Sequence, residues 1–165
     1  MTEQSKYLYL MRHGDAECEA RVIDFQRALT SFGKKQVRMQ AEQFKEPEGI
    51  RPDCILCSTA RRAKETAEGL RNLFKGVPVF YRETLYLAPT HRLLNLIRET
   101  DDLFARILII GHNPGLEQLA SMLNEEMVRI PLKPADCVSV RMNVKTWAEV
   151  AAETGKIEKI FLSAI

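Results

Sequence analysis

No apolar stretch among the 165 residues approaches the roughly 18 needed to cross a bilayer, so no membrane association is expected. The opening residues, Met1 to Lys6, are polar and lead into an apolar segment of only a few residues. A secretory leader needs a longer apolar region and a small-residue cleavage site. Neither sign of charge dominates. Lys and Arg number 24 and Asp and Glu 22, a formal +2 that gives no reason to expect a nucleic acid partner. Cysteine is scarce: Cys18, Cys54, Cys57 and Cys137. Cys54 and Cys57 make a lone C-x-x-C with no second ligand pair, inside an apolar run, and read as small buried hydrophobes. Reduced thiols without an export signal point to the cytoplasm. Internal repeats, low-complexity tracts and linkers are also lacking, so residues 1–165 are expected to form a single domain. No Gly-x-Gly-x-x-Gly follows the first apolar run, which removes the dinucleotide-binding reading.

What is present is an alternation. Tyr7–Met11, Cys54–Cys57, Val77–Tyr81 and Ile107–Ile110 are short, nearly continuous apolar runs, the pattern of strands buried on both faces. Cys137–Met142 alternates and reads as a half-exposed strand, and Ile157–Leu162 as a final edge strand. Helical patterns lie between them. One is capped by Thr30 or Ser31 and runs to about Lys45, stopped by Pro47 and Gly49. A second spans Ala60–Phe74, a third is capped by Thr90, and a fourth carries Pro114 in its first turn. Together these predict an α/β fold, a three-layer α/β/α sandwich around a mostly parallel central sheet. The segment from Asn124 to Asp136, with two prolines and mixed charge, is expected to be a mobile loop near the site.

Ligands of open α/β sheets sit beyond the carboxyl ends of the strands. The first run ends in Arg12-His13-Gly14-Asp15, the second in Ser58 with Arg61 and Arg62 just beyond, and the fourth in Gly111-His112-Asn113-Pro114. His91, the third histidine, falls at a helix start and reads as a surface residue. Each arginine offers a fixed fork of donors suited to phosphate oxygens. A helix N-terminus after His112 adds N–H groups, and glycines let backbone approach closely. A neutral imidazole in such a hollow can attack phosphorus.

These residues resemble the histidine phosphatase superfamily, whose hallmark is Arg-His-Gly at the end of the first strand. The matching text is Leu10-Met11-Arg12-His13-Gly14-Asp15-Ala16-Glu17. Three further stretches follow in order: Arg27-Ala28-Leu29-Thr30-Ser31-Phe32-Gly33, Ser58-Thr59-Ala60-Arg61-Arg62-Ala63-Lys64-Glu65-Thr66, and Gly111-His112-Asn113-Pro114. Within the superfamily the chain is similar to SixA-type phosphohistidine phosphatases. The resemblance implies that His13 is the nucleophile, that Arg12 and Arg62 clamp the phosphoryl oxygens, and that His112 donates to the phosphoryl group. Gly14, Asn113 and Ser58 are expected to contact substrate, and Arg61 to be an exposed helper at best. No metal and no cofactor is implied. The expected partner is a phosphorylated protein or a small phosphorylated substrate, and the chain a monomer or weak dimer.

The chain departs from the wider superfamily in one place. Many members that cleave alkyl phosphates carry a glutamate as proton donor in a Leu-x-Glu segment after the third strand. Here the text is Glu83-Thr84-Leu85-Tyr86-Leu87, which puts Leu87 at the acid position and Glu83 two residues early. Glu83 stays a candidate acid, reaching in from another backbone direction. An alkoxide leaving group gains about 10²–10⁴-fold from a proton donor, whereas the imidazole of phosphohistidine leaves readily. The sequence therefore favours a phosphoramidate substrate. A small-molecule phosphomonoesterase and a non-catalytic module that binds a phosphoprotein are the alternatives.

Overall fold

An apolar run can be stable in water only where both faces of its strand are covered. In the computed structural model, which describes residues 5–163, six strands share one sheet. They are β1 (Lys6–Arg12), β2 (Cys54–Ser58), β3 (Val79–Arg82), β4 (Arg106–Gly111), β5 (Cys137–Met142) and β6 (Gly155–Phe161). Their spatial order is β3-β2-β4-β1-β5-β6. The first four are mutually parallel, while β5 runs antiparallel to β1 and β6 to β5. Helices α1 (Ser31–Lys45) and α2 (Arg61–Gly69) pack against each other, as do α3 (Thr90–Arg98) and α4 (Gly115–Leu123).

Period-2 alternation sends neighbouring strand residues to opposite layers. Leu8, Leu10, Leu56, Ile107 and Ile109 meet Leu93, Ile97, Leu116 and Leu119 of α3 and α4 on one side. Tyr9, Met11, Ile55, Leu108 and Ile110 meet Val37, Phe44, Ala63 and Ala67 of α1 and α2 on the other. The three-layer α/β/α sandwich expected from the alternation is the fold observed. Cys54 and Cys57 fall into different layers, as their spacing in a strand requires, and burial pushes both thiols up to about 12.

Several local expectations are corrected. β3 begins at Val79 rather than Val77 and forms an exposed sheet edge, because among the described residues no strand pairs beyond it. β5 is not half-exposed: flanked by β1 and β6 and covered on both faces, it leaves only Arg141 in water. The edge on that side is β6, as expected, but over Gly155–Phe161. α2 ends at Gly69, and the chain continues to Phe74 in turns that still bury Leu70 and Phe74. Thr30 does cap α1, its Oγ1 accepting from Gly33 N at 2.9 Å. Thr90 does not cap α3. Pro89 holds that position, and Thr90 Oγ1 donates to Gln118 Oε1. Pro114 is the N-cap residue of α4 and not within its first turn.

Candidate active site

Parallel pairing brings the carboxyl ends of β1, β2 and β4 out along one edge. Arg12 is in register with Gly111 and Cys57 with Ile110. The next residues along, His13 and His112, are therefore neighbours, and Ser58 lies beside them. The two imidazole centroids are 5.2 Å apart. Both rings are buried, His13 to 8% and His112 to 4% exposure.

Hydrogen bonds fix the proton on the His13 ring and orient the His112 ring. His13 Nδ1–H donates to its neighbour's carbonyl, Gly14 O, at 2.7 Å. Its Nε2 accepts from Arg62 Nε at 3.2 Å, so the lone pair of Nε2 faces the guanidinium. Ser58 Oγ accepts from Ala60 N at 3.2 Å and lies 2.7 Å from His112 Nε2. A hydroxyl that donates to that nitrogen puts the His112 proton on Nδ1, a buried atom with no partner among the described residues. Burial, then the charges of Arg62, Arg12 and Arg27, lower His13 to about 4 against the opposing pull of the Gly14 carbonyl. Burial, then His13 and Arg62, lower His112 to about 3, with Asp24 opposing. Both rings are neutral near pH 7.

The guanidiniums come from two elements. Arg62, 2% exposed, enters from the first turn of α2. Arg12 is the last residue of β1. Its Nη1 donates to Leu132 O at 3.0 Å, and its buried Nε has no partner. Arg12, His13, Arg62 and His112 thus converge, as the strand-end argument expects. Arg61 points away, paired with Glu65 at 3.2 Å on the exposed face of α2.

Three expected substrate contacts have other occupations. Ser58 is fully buried and both its bonds are internal, so it orients His112. The Gly14 N–H donates to Thr66 Oγ1, and its carbonyl holds His13. A Cβ at Gly14 would stand 2.9 Å from Gly33 O, so glycine is needed for packing against α1. Asn113 donates both amide hydrogens, to Glu117 Oε1 at 2.9 Å and Leu132 O at 2.8 Å. Its remaining Oδ1 can only accept, which suits no phosphoryl oxygen. The 124–136 segment is beside the site but well anchored. Leu132 N donates to Glu117, Ala135 N to the Arg12 and His13 carbonyls, and Ile130, Leu132 and Ala135 are buried. Glu83 is exposed in a one-turn 3-10 helix and borders a cleft of about 500 Å³ with Phe25, Thr84, Tyr86 and Arg92. Leu87, the position aligned with the family's acid, is exposed and has a left-handed backbone.

Asp24 and Tyr86 are the site residues that sequence reasoning missed. Asp24 O accepts from Arg62 Nη1 at 2.7 Å, and its carboxylate accepts from Arg62 Nη2 at 3.1 Å, Arg27 Nη1 at 3.0 Å and the Tyr86 hydroxyl. The Tyr86 bond first, then Arg27 and Arg62, hold this carboxyl well below the usual carboxylate range. The Tyr86 ring stands edge-on to His112 at 5.6 Å and to Phe25 at 5.0 Å. A carboxylate between two arginines one turn before a recognised motif was the available clue, and it has no periodicity to mark it. Among the described residues, no three His, Cys, Asp or Glu side chains are grouped to hold a metal ion.

The family model of the histidine phosphatase superfamily (branch 1) matches residues 8–86, the stretch holding Arg12, His13 and Arg62. That stretch is just under half of the chain. The family match and the SixA neighbours together support a phosphatase and leave its substrate open. An uncharacterized chloroplastic protein of Arabidopsis thaliana is 28% identical over 93% of this chain and 74% of its own length. In fold, the chain is similar to the protein histidine phosphatase SixA complexed with tungstate, at TM-score 0.79, 21% identity, and 95% and 97% coverage of the two chains. It is also similar to the alpha-ribazole phosphatase of Shigella flexneri, at TM-score 0.70, 16% identity, and 96% and 98% coverage. Superfamily folds of this shape therefore serve both a protein phosphatase and a small-molecule phosphatase.

Proposed function

We propose that this phosphatase removes the phosphoryl group from phosphohistidine on a protein, by way of a phosphohistidine at His13. The observation that carries the reading is the state of the His13 ring. Its Nδ1–H is tied to Gly14 O, and its Nε2 lone pair faces the Arg62 guanidinium. Nε2 attacks phosphorus in line, the substrate nitrogen departs, and water then attacks the enzyme's own P–N bond to release phosphate. Arg12 and Arg62 offset the charge on the equatorial oxygens, and the unpartnered His112 Nδ1–H and Arg12 Nε–H donate to them. Ser58 orients His112 by setting its tautomer.

The test is a ³²P-labelled phosphohistidine protein presented to the wild type and to His13→Ala. The wild type releases phosphate and, on rapid quenching, carries an acid-labile, alkali-stable label; His13→Ala does neither. Phosphate release by the wild type with no such label would overturn the route. The second reading, a small-molecule phosphomonoesterase, is favoured by Glu83 on the rim of the Tyr86 cleft, where it would protonate an ester oxygen. On that reading Glu83→Gln loses p-nitrophenyl phosphate turnover selectively.

A further inference from the structure

Arg62 presents Nε–H and Nη2–H along one edge of a planar group, the edge that normally grips two oxygens of a single anion. Here that edge is divided. Nε meets the nucleophilic nitrogen of His13 at 3.2 Å, and Nη2 meets Asp24 Oδ2 at 3.1 Å. A fixed negative charge therefore stands beside the reacting centre. Asp24 cannot donate, because Arg62, Arg27 and Tyr86 all donate to it. A carboxylate has about four lone-pair sites, so one is left. The side chain is 44% exposed, open to an incoming group. Beyond it lies the cleft of about 500 Å³ walled by Phe25 and Tyr86, wide enough for a planar ring.

We propose that Asp24 is the specificity-determining residue for the leaving group, accepting a hydrogen bond from the free ring N–H of a substrate phosphohistidine and so selecting an imidazole over an alkoxide leaving group. The proposal rests on the phosphohistidine reading and names how the site recognises that substrate. The substrate ring enters protonated on the nitrogen not bonded to phosphorus. As the P–N bond breaks, its electron pair returns to the ring nitrogen. The imidazolium becomes a neutral imidazole that keeps its N–H against Asp24, and no proton need be delivered. The new bond at His13 Nε2 produces the mirror state, an imidazolium whose Nδ1–H rests on Gly14 O. One ring is held by a carboxylate and the other by a carbonyl, so the phosphoryl group passes between two like acceptors. An ester oxygen departing on the same side would instead meet the Asp24 charge with its own.

The experiment compares kcat/KM for a phosphohistidine peptide and for p-nitrophenyl phosphate in wild type, Asp24→Asn and Asp24→Glu. The expected result is a fall in the peptide-to-ester ratio of about tenfold or more in Asp24→Asn, the size of one hydrogen bond to a charged group. Asp24→Glu, which restores the charge, recovers most of the ratio. Both rates falling together in Asp24→Asn would reduce Asp24 to a holder of Arg62. Both rising together would make it a plug that every substrate displaces. Either outcome overturns the proposal. Should Asp24→Asn not fold, Asp24→Ser removes the same charge and is read the same way. A wild type that labels His13 from p-nitrophenyl phosphate but never from the peptide sinks the phosphohistidine reading itself, a different failure from an unchanged ratio.

Discussion

A buried imidazole among guanidiniums has two reasons to stay neutral, and both act on His13. Burial removes water from the charged form, and Arg62, Arg12 and Arg27 repel it, while the Gly14 carbonyl pulls the other way. Ring ¹⁵N shifts of His13 followed by NMR should show titration near pH 4, far below the ~6.5 of a free imidazole. A midpoint at 6 or above would mean that the ring is hydrated or paired with a carboxylate in solution. At this scale the sequence was informative where chemistry coincides with a strand end. Arg12, His13 and His112 follow continuous apolar runs directly, and Arg62 opens the helix after another. The tasks of Ser58, Gly14 and Asn113 were not legible, because spacing says that a residue is near a site and not which atoms its hydrogen bonds consume. Asp24 and Tyr86 were missed for a related reason. They sit 62 residues apart on irregular segments and become a pair only through one hydroxyl–carboxylate bond.

Among the elements, the first turn of α1 is the tightest junction with the site. A Cβ on Gly33 would stand 2.1 Å from Asp15 O, a backbone atom one residue past Gly14. Gly33→Ala must push the His13-Gly14-Asp15 turn aside or lift α1 off it. Overpacking of this kind costs about 1–3 kcal/mol. The expected outcome is a lower urea midpoint together with a fall in kcat, since Gly14 O fixes the His13 tautomer. A stability loss with kcat intact would show that the turn yields without moving the ring. Apolar periodicity located the six strands and four α-helices but none of the 3-10 turns, and it misjudged the exposure of two strands. Alternation in β5 reports where side chains point. Whether the second face is wet depends on layers contributed by distant segments. β3 fails the other way, being apolar in sequence and at the margin in space, the end strand of the sheet among the described residues.

For the molecule as a whole, two histidines kept neutral by the fold tie stability to pH. Their folded values, about 4 for His13 and about 3 for His112, lie below the ~6.5 of the unfolded chain. Between those limits the unfolded state binds protons that the folded state refuses. The stabilisation is complete above pH ~6.5 and is lost progressively as pH falls toward 4 and 3. Urea midpoints should therefore drop between pH 7.5 and pH 5, and the drop should shrink in His13→Asn. An equal drop in that variant would assign the effect to other groups. The three-layer class was legible in the alternation of runs, but the strand order was not. Inserting β4 between β1 and β2 is a long-range pairing that no local pattern announces.

That insertion separates what can drift from what cannot. His13 and His112 sit one step past a ladder pair, so their spacing is inherited from the sheet's own repeat. Asp24, Arg27 and Tyr86 lie outside every strand and α-helix. A lineage built this way can exchange its clientele by rewriting two connecting segments, while the reactive centre keeps its dimensions.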